Sequence, residues 1–233
     1  MTRRNTVWLF AGLALLLWLS AFALAQQVVA ATSGAAGDAY QMLAAPPAVA
    51  YDEPVSNQAH ELTHTFPVLV PIARFFDLTG SVFVLLPLTV TVVILLARRG
   101  HGWWALWVGA CGMGGWMISQ TVKHVVDRPR PTWPDPYETL MSPSFPSGHA
   151  MAGIYGYVVF GVVALALLPR RWPGVVLIGF GLLMGPSRVL LGVHWPTDVL
   201  AGWLLASGWA CAMAALVLAV RNARAARVTP APL

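Results

Sequence analysis

Six long apolar runs, almost free of charge, constrain this chain more than anything else in it. They are Thr6–Ala25, Gly80–Ala97, Trp103–Val122, Gly148–Pro169, Trp172–Val193 and Val199–Val220. Most reach or approach the roughly 20 residues that a helix needs to cross the hydrocarbon of a bilayer. The fifth is the least clean, because Arg188 interrupts it near its end. In lipid each backbone N–H and C=O must be satisfied within the protein, which makes the α-helix the natural form for such runs. A soluble domain is excluded by composition: 58% of the residues are hydrophobic and 10% are charged, against about 25% charged in ordinary soluble domains. We expect an all-α, polytopic membrane protein with six transmembrane helices and one compact membrane domain.

The connections set the orientation. Arg3 and Arg4 precede the first run, Arg98 and Arg99 follow the second, Arg170 and Arg171 follow the fourth, and Arg221, Arg224 and Arg227 follow the sixth. With six spans all four clusters fall on one side, which the positive-inside rule makes cytoplasmic. Trp8, Trp103, Trp104 and Trp172 lie beside them as an interfacial belt. Both termini are then cytoplasmic, and the net charge of +5 reads as membrane topology rather than as a nucleic-acid surface. A rival reading makes residues up to Ala25 a cleaved signal peptide, leaving five spans. Cys111 and Cys211 lie inside apolar runs with no metal-ligand spacing, as small buried residues do.

Three connections face the other side: 26–79, 123–147 and the stretch around His194. The early part of the first is Ala-, Gly- and Pro-rich and expected to be irregular, while His64–Phe76 is apolar enough for an interfacial segment. This divides the chain into a first span with its outer loop (1–78), a core (79–221) and a cytoplasmic tail (222–233).

Ionisable residues at membrane depth are functional candidates by default, and three groups of them fall on the outer side. Lys123 ends the third run, and Arg128 and Arg130 follow in a loop that Pro129 and Pro131 keep extended. Cations held in such a loop make an oxyanion clamp, with arginine offering a bidentate fork; lipid headgroups are the blander ligand. Ser147-Gly148-His149 opens the fourth run, with Ser147 as cap and His149 in the first turn. The free N–H groups and dipole of that helix end favour an anion, and Gly148 lets a ligand approach the backbone closely. Arg188, His194 and Asp198 surround the start of the sixth run, where Pro196 takes a first helical position. Asp198 can then reach one ring nitrogen of His194, fixing its tautomer and making the other nitrogen the nucleophile.

Three or four cations, a helix N-terminus, two histidines and one carboxylate suit phosphoryl transfer, in which positioning and charge stabilisation dominate. No carboxylate pair or cluster suggests a site for Mg²⁺ or Zn²⁺, so no metal and no cofactor is expected.

These groups resemble the signature of the type 2 phosphatidic acid phosphatase superfamily: K-x6-R-P as Lys123 to Arg130-Pro131, P-S-G-H as Pro146 to His149, and S-R-x5-H-x3-D as Ser187-Arg188, His194 and Asp198. The likeness covers roughly residues 79–221 and departs at no signature position; residues 1–78 carry no signature. It implies that His194 is a nucleophile forming a phosphohistidine, that Asp198 orients it and that His149 protonates the leaving oxygen. It also implies that Lys123, Arg130, Arg188, Ser147 and Gly148 bind phosphate. Arg128 is no signature position, and its place in the loop suggests an extra phosphate contact. The implied substrate is a lipid phosphate, of the undecaprenyl pyrophosphate, phosphatidylglycerophosphate or phosphatidic acid class, in a bacterial inner membrane. Other readings are a lipid phosphotransferase using the same histidine, a vanadium-dependent haloperoxidase and a non-enzymatic scaffold. Six spans count against the haloperoxidase, and the aligned ionisable residues count against the scaffold. Oligomeric state is left open.

Overall fold

The computed structural model describes residues 3–34 and 48–228. Among these, every regular element is helical. The helices are α1 (Arg3–Gly34), α2 (Asp52–Thr65), α3 (Leu69–Gly80), α4 (Val82–Arg98), α5 (Gly102–Val126), α6 (Gly148–Leu167), α7 (Trp172–Leu190) and α8 (Pro196–Val228). A single 3₁₀ turn, Val49–Tyr51, precedes α2.

Local chemistry explains the boundaries. Ser147 sits in extended backbone and its Oγ accepts the Ala150 N–H at 3.3 Å, capping α6 as its side chain suggested. Pro196 opens α8, where a missing N–H costs nothing. After Val126 the backbone turns left-handed at Asp127 and stays irregular through the prolines to Pro146. Part of α6, Gly153–Val158, is wound as a π-helix, a rare variant that recurs near functional sites.

Among the described residues, four helices are long and apolar enough to cross a membrane: α1, α6, α7 and α8. The pair α3–α4, bent by 50°, makes a fifth if it counts as one span. Of the six expected spans, that at Trp103–Val122 corresponds to α5. This helix has 25 residues, but it contains Gln120, Lys123 and His124 among many glycines and is not one of the four. The expected second span is only 17 residues long as α4 and reaches bilayer length by joining α3.

Two further expectations on the outer connection need revision. Residues 26–34 continue α1 as helix, being mostly Ala, Val and Gln; the rest of the expected irregular stretch, 35–47, lies outside the described residues. His64–Phe76 is not one segment, since α2 ends at Thr65 and α3 begins at Leu69, with Pro67 between them barring a continuous helix.

The core lies where α5, α6, α7 and α8 meet, around Val108, Cys111, Met151, Tyr155, Met184 and Ala206. Helices α6 and α7 cross at Gly153 and Gly181. A Cβ on Gly153 would sit 2.1 Å from the Gly181 carbonyl, and one on Gly181 would sit 2.4 Å from that of Gly153, so only glycine permits this approach. Helix α1 packs along α8, with Trp18 stacked on Trp209. Outside this core the surface is apolar: Trp8, Leu15, Leu16, Phe83 and Trp172 are all exposed, as lipid-facing residues are.

Helix direction sorts the charges. Arg4 starts α1, Arg98 ends α4, Arg171 precedes α7 and Arg224 lies near the end of α8. The Arg224 guanidinium stands 5.4 Å over the Trp103 ring at the start of α5. Lys123, Ser147, Arg188 and Asp198 sit at the opposite ends of α5, α6, α7 and α8.

Candidate active site

His194 occupies the turn between α7 and α8 and is almost wholly buried. Its Nδ1 lies 3.3 Å from Asp198 Oδ2 and 3.4 Å from Ser144 Oγ. Its Nε2 lies 3.2 Å from Arg130 Nη1. One ring nitrogen therefore faces a carboxylate, and the other faces a cation that could hold an anion against it. Burial pushes the imidazole down to about 3, with the charges of Arg130 and Arg188 adding to the effect and Asp198 opposing it. The ring is neutral at pH 7, as a nucleophile must be.

Asp198 is held from every side. Oδ2 accepts the Trp195 N–H at 2.9 Å and the Ser144 hydroxyl, while Oδ1 accepts Arg128 Nη1 at 2.7 Å. Its backbone carbonyl accepts the Ser147 N–H at 3.0 Å, tying the start of α8 to the start of α6.

Arg128, expected as an extra phosphate contact, is engaged by carboxylates in this structure. Its side chain is 5% exposed, and both terminal nitrogens are engaged by carboxylates, Nη1 with Asp198 and Nη2 with Asp52 Oδ2 at 2.6 Å. Asp52 in turn accepts the Thr197 N–H at 2.9 Å and the Thr197 hydroxyl. The first turn of α2 thus buttresses the first turn of α8 through a buried Asp52–Arg128–Asp198 chain. Residues 1–78 carry no signature, and a single Asp in an Ala- and Pro-rich stretch gave no sequence signal for this role.

The other cations divide. Arg130 is pinned by carbonyls, with Nε on Ser142 O at 2.7 Å and Nη1 on Val193 O at 2.6 Å. Burial lowers its pKa from the ordinary value, with Arg188 contributing. Lys123 Nζ donates to Pro143 O at 2.6 Å, the same carbonyl that takes Arg130 Nη2 at 3.2 Å. Arg188 instead meets acids: Nη1 contacts Asp77 Oδ1, and Nη2 lies 3.1 Å from Glu138 Oε2.

His149 meets the same Asp77. Its Nε2 lies 3.1 Å from both the Asp77 carbonyl and Asp77 Oδ1. No acid lies near His149 in sequence, yet the end of α3 brings one to it. The approach depends on Gly80, where a Cβ would stand 2.6 Å from the His149 ring. Gly148, by contrast, has room for a Cβ, its nearest neighbour being Ser119 Oγ at 3.5 Å. The fold thus gathers Lys123, Arg130 and His194 into one contact set and His149 and Arg188 into another. Ser147 links them through Asp198.

A further gathering of ligand-type side chains lies apart from these sets. Among the described residues one group of three ligand-bearing side chains converges: His60 and His64 of α2 with Asp135 of the 127–147 loop. His60 and His64 are four residues apart, which puts them on one helix face, and that spacing was readable; Asp135, 71 or more residues away, was not.

The sequence profile of the PAP2 superfamily matches residues 104–222, and the chain belongs to that superfamily. An undecaprenyl-diphosphatase from Sulfolobus acidocaldarius is 32% identical over 139 residues, 57% of this chain and 63% of the relative. Undecaprenyl-diphosphatase BcrC from Bacillus subtilis is 30% identical over 155 residues, 63% of this chain and 74% of the relative. A crystal structure of a transmembrane PAP2-type phosphatidylglycerolphosphate phosphatase from Bacillus subtilis superposes with a TM-score of 0.66, at 24% identity, covering 94% of this chain and 98% of that one. That likeness carries the fold, including the helices before residue 104. The chain is an all-helical, multi-pass membrane protein, and its relatives bear the names of lipid phosphatases.

Proposed function

We propose that this protein hydrolyses a phosphomonoester or diphosphate on a membrane lipid, through a phosphohistidine on His194. The observation that carries this reading is the division of labour on the His194 ring: Nδ1 is directed at Asp198, and Nε2 meets Arg130. Nε2 attacks phosphorus, forming a P–N bond as the bond to the leaving oxygen breaks. The leaving oxygen takes its electron pair and a proton from His149. Water then attacks the phosphohistidine with His149 as base, releasing phosphate and restoring His194. Arg130, Lys123 and Arg188, with the Ser147–Gly148 helix end, bind the transferring oxygens, as phosphoryl transfer requires of positioned cations. A phosphate reaching Arg188 replaces Asp77 and Glu138, which occupy it in this structure.

The undecaprenyl-diphosphatase relatives favour a polyprenyl diphosphate, with phosphatidylglycerophosphate next. The opposed placement of the arginine clusters and the site supports six spans, cytoplasmic termini and an active site on the outer face. A reporter fused after Leu233 that proved external would overturn that sidedness.

The direct test is phosphate release by purified protein from undecaprenyl diphosphate, phosphatidylglycerophosphate and phosphatidic acid, with EDTA present. Turnover of at least one lipid is expected, since the chemistry runs through histidines and cations. No release from any of them would refute the function. Turnover lost in EDTA and restored by Mg²⁺, in the wild type and in His64→Ala alike, would refute the metal-free chemistry.

A further inference from the structure

The face of α2 that meets the 127–147 loop carries a set of groups that phosphate chemistry does not use. His60 Nε2 and His64 Nε2 lie 3.1 Å apart. One oxygen of Asp135 stands 3.3 Å from His60 Nε2, and the other stands 3.2 Å from His64 Nε2. Two imidazole nitrogens that close need either a proton or a cation between them. A single shared proton serves one edge of the triangle and leaves the other two imperfectly satisfied. A cation at the centre serves all three.

The distances fit a particular cation. In a tetrahedral Zn²⁺ centre with ligand bonds of about 2.0–2.1 Å, neighbouring donor atoms stand roughly 3.3–3.4 Å apart. The His60 Nε2–His64 Nε2 separation of 3.1 Å lies within a few tenths of that, and each oxygen of Asp135 stands beside one of the two nitrogens, so the three side chains converge on one point. Two imidazoles and one carboxylate form a borderline-soft donor set that suits Zn²⁺ and neighbouring transition metals better than Mg²⁺ or Ca²⁺. The rings are also held in place. His60 stacks on Trp133 with centroids 4.2 Å apart and planes within 15°, and Tyr137 flanks both histidines. Nδ1 of His60 is buried with no hydrogen-bond partner among the described residues, so this ring binds through Nε2.

We propose that His60, His64 and Asp135 bind one Zn²⁺-class divalent cation, with water in the fourth position, and that the metal staples α2 to the loop carrying Arg130. The staple is connected to the active site. Trp133, stacked on His60, donates Nε1–H to the Gly192 carbonyl at 2.9 Å, two residues before His194. Asp52, which anchors Arg128, opens the same helix that carries both histidines. The metal acts on loop order and is no party to the phosphoryl transfer. The binding claim holds whether or not the proposed hydrolysis does.

The test uses full-length protein purified in detergent through a histidine-free tag, stripped with chelator and titrated with Zn²⁺ and, separately, Co²⁺. We expect one equivalent bound per chain, the visible absorption of tetrahedral Co²⁺, and a rise in unfolding temperature with Zn²⁺. Losing an outer-shell partner weakens metal sites about 10–100-fold. Losing a ligand outright in His64→Ala or Asp135→Asn should therefore weaken binding by about 100-fold or more. Both positions are substantially exposed, so the variants should fold, and retained monodispersity checks that. His124→Ala, outside the cluster, should bind as the wild type does. Absence of stoichiometric binding, or undiminished binding in both cluster variants, would overturn the proposal and identify the triangle as a proton-held cluster. Because binding is read without substrate, a failure here leaves the lipid phosphatase reading intact, and the converse also holds.

Discussion

The two histidines of the site are each paired with an aspartate, but the pairs are built differently. Asp198 lies four residues from His194, is fully buried, and is fixed by a backbone N–H, a hydroxyl and a guanidinium. Asp77 lies 72 residues from His149 and about a third of its side chain is exposed. It shares its oxygen with Arg188. A nucleophile must present one lone pair along one line in every turnover, so rigidity serves it. An acid that must gain and lose a proton, beside a cation that must receive a phosphate, is better served by a partner that can move. The buried pair reads as a fixed part and the exposed pair as an exchangeable one.

The largest break in this comparison is His194→Ala, which should abolish turnover of every lipid phosphate, because no other ring nitrogen contacts Arg130. An activated aryl phosphate should not rescue it. Measurable rescue would reverse the two histidine roles.

His149→Ala should slow a lipid monophosphate by roughly 10²–10⁴-fold, the usual worth of general acid catalysis. An activated aryl phosphate needs no proton on its leaving group, so its loss should be much smaller. Equal losses on both substrates, measured as kcat, would contradict the assignment.

The fixed side has its own weak point. Arg128→Ala would leave Asp52 and Asp198 buried without a counter-charge, a loss of about 3–5 kcal/mol for a buried pair deprived of one partner. Arg128→Lys should rescue little, since one ammonium cannot reproduce the paired Nη1 and Nη2 contacts. Unfolding in detergent measures both, and an unchanged midpoint for Arg128→Ala would show that the buried chain is not structural.

On the exchangeable side, Asp77→Asn keeps the backbone carbonyl that meets His149 and should cost only about tenfold in kcat, the scale of one charge-assisted hydrogen bond. It also frees Arg188 of one competitor, so KM should fall rather than rise. A rise in KM would make Asp77 a substrate-positioning group instead.

The last break is read in pH rather than in rate, as a pH dependence of stability. His194 is held down to about 3, whereas a free histidine titrates near 6.5. The unfolded chain therefore takes up this proton first as pH falls. The stability tied to burying a neutral His194 is whole above about pH 6.5 and is lost toward pH 3, by at most about 1.4 kcal/mol per pH unit. His194→Asn should flatten that part of the profile, and an unchanged slope would count against a buried neutral ring.

How much of this could be read from the sequence follows the same division. His194 and Asp198 lie within one turn of each other, Ser147 announces a cap, and Pro196 announces a helix start, so local rules suffice. Asp77, Asp52 and Asp135 reach their partners from 71 to 145 residues away. They lie in stretches whose composition reads as loop or surface, and no local rule pairs them. The spans differ in the same way. Helix α5, which lines the site with Lys123 and packs by glycine, is legible as an apolar run but carries a weaker apolar signal than α1, α6, α7 and α8. The bend at Ser81, whose backbone is extended between two helices, joins what reads as a loop to what reads as a short span.

The decisive point of the chemistry is which nitrogen takes the phosphoryl group. Purified protein mixed briefly with a ³²P-labelled lipid monophosphate and quenched in alkali, where phosphohistidine survives, should yield labelled protein with the label on the His194 peptide. His149→Ala should retain that label when charged from the activated ester, and His194→Ala should carry none. Label on the His149 peptide, or rapid turnover with no labelled protein at any quench time, would contradict the central claim.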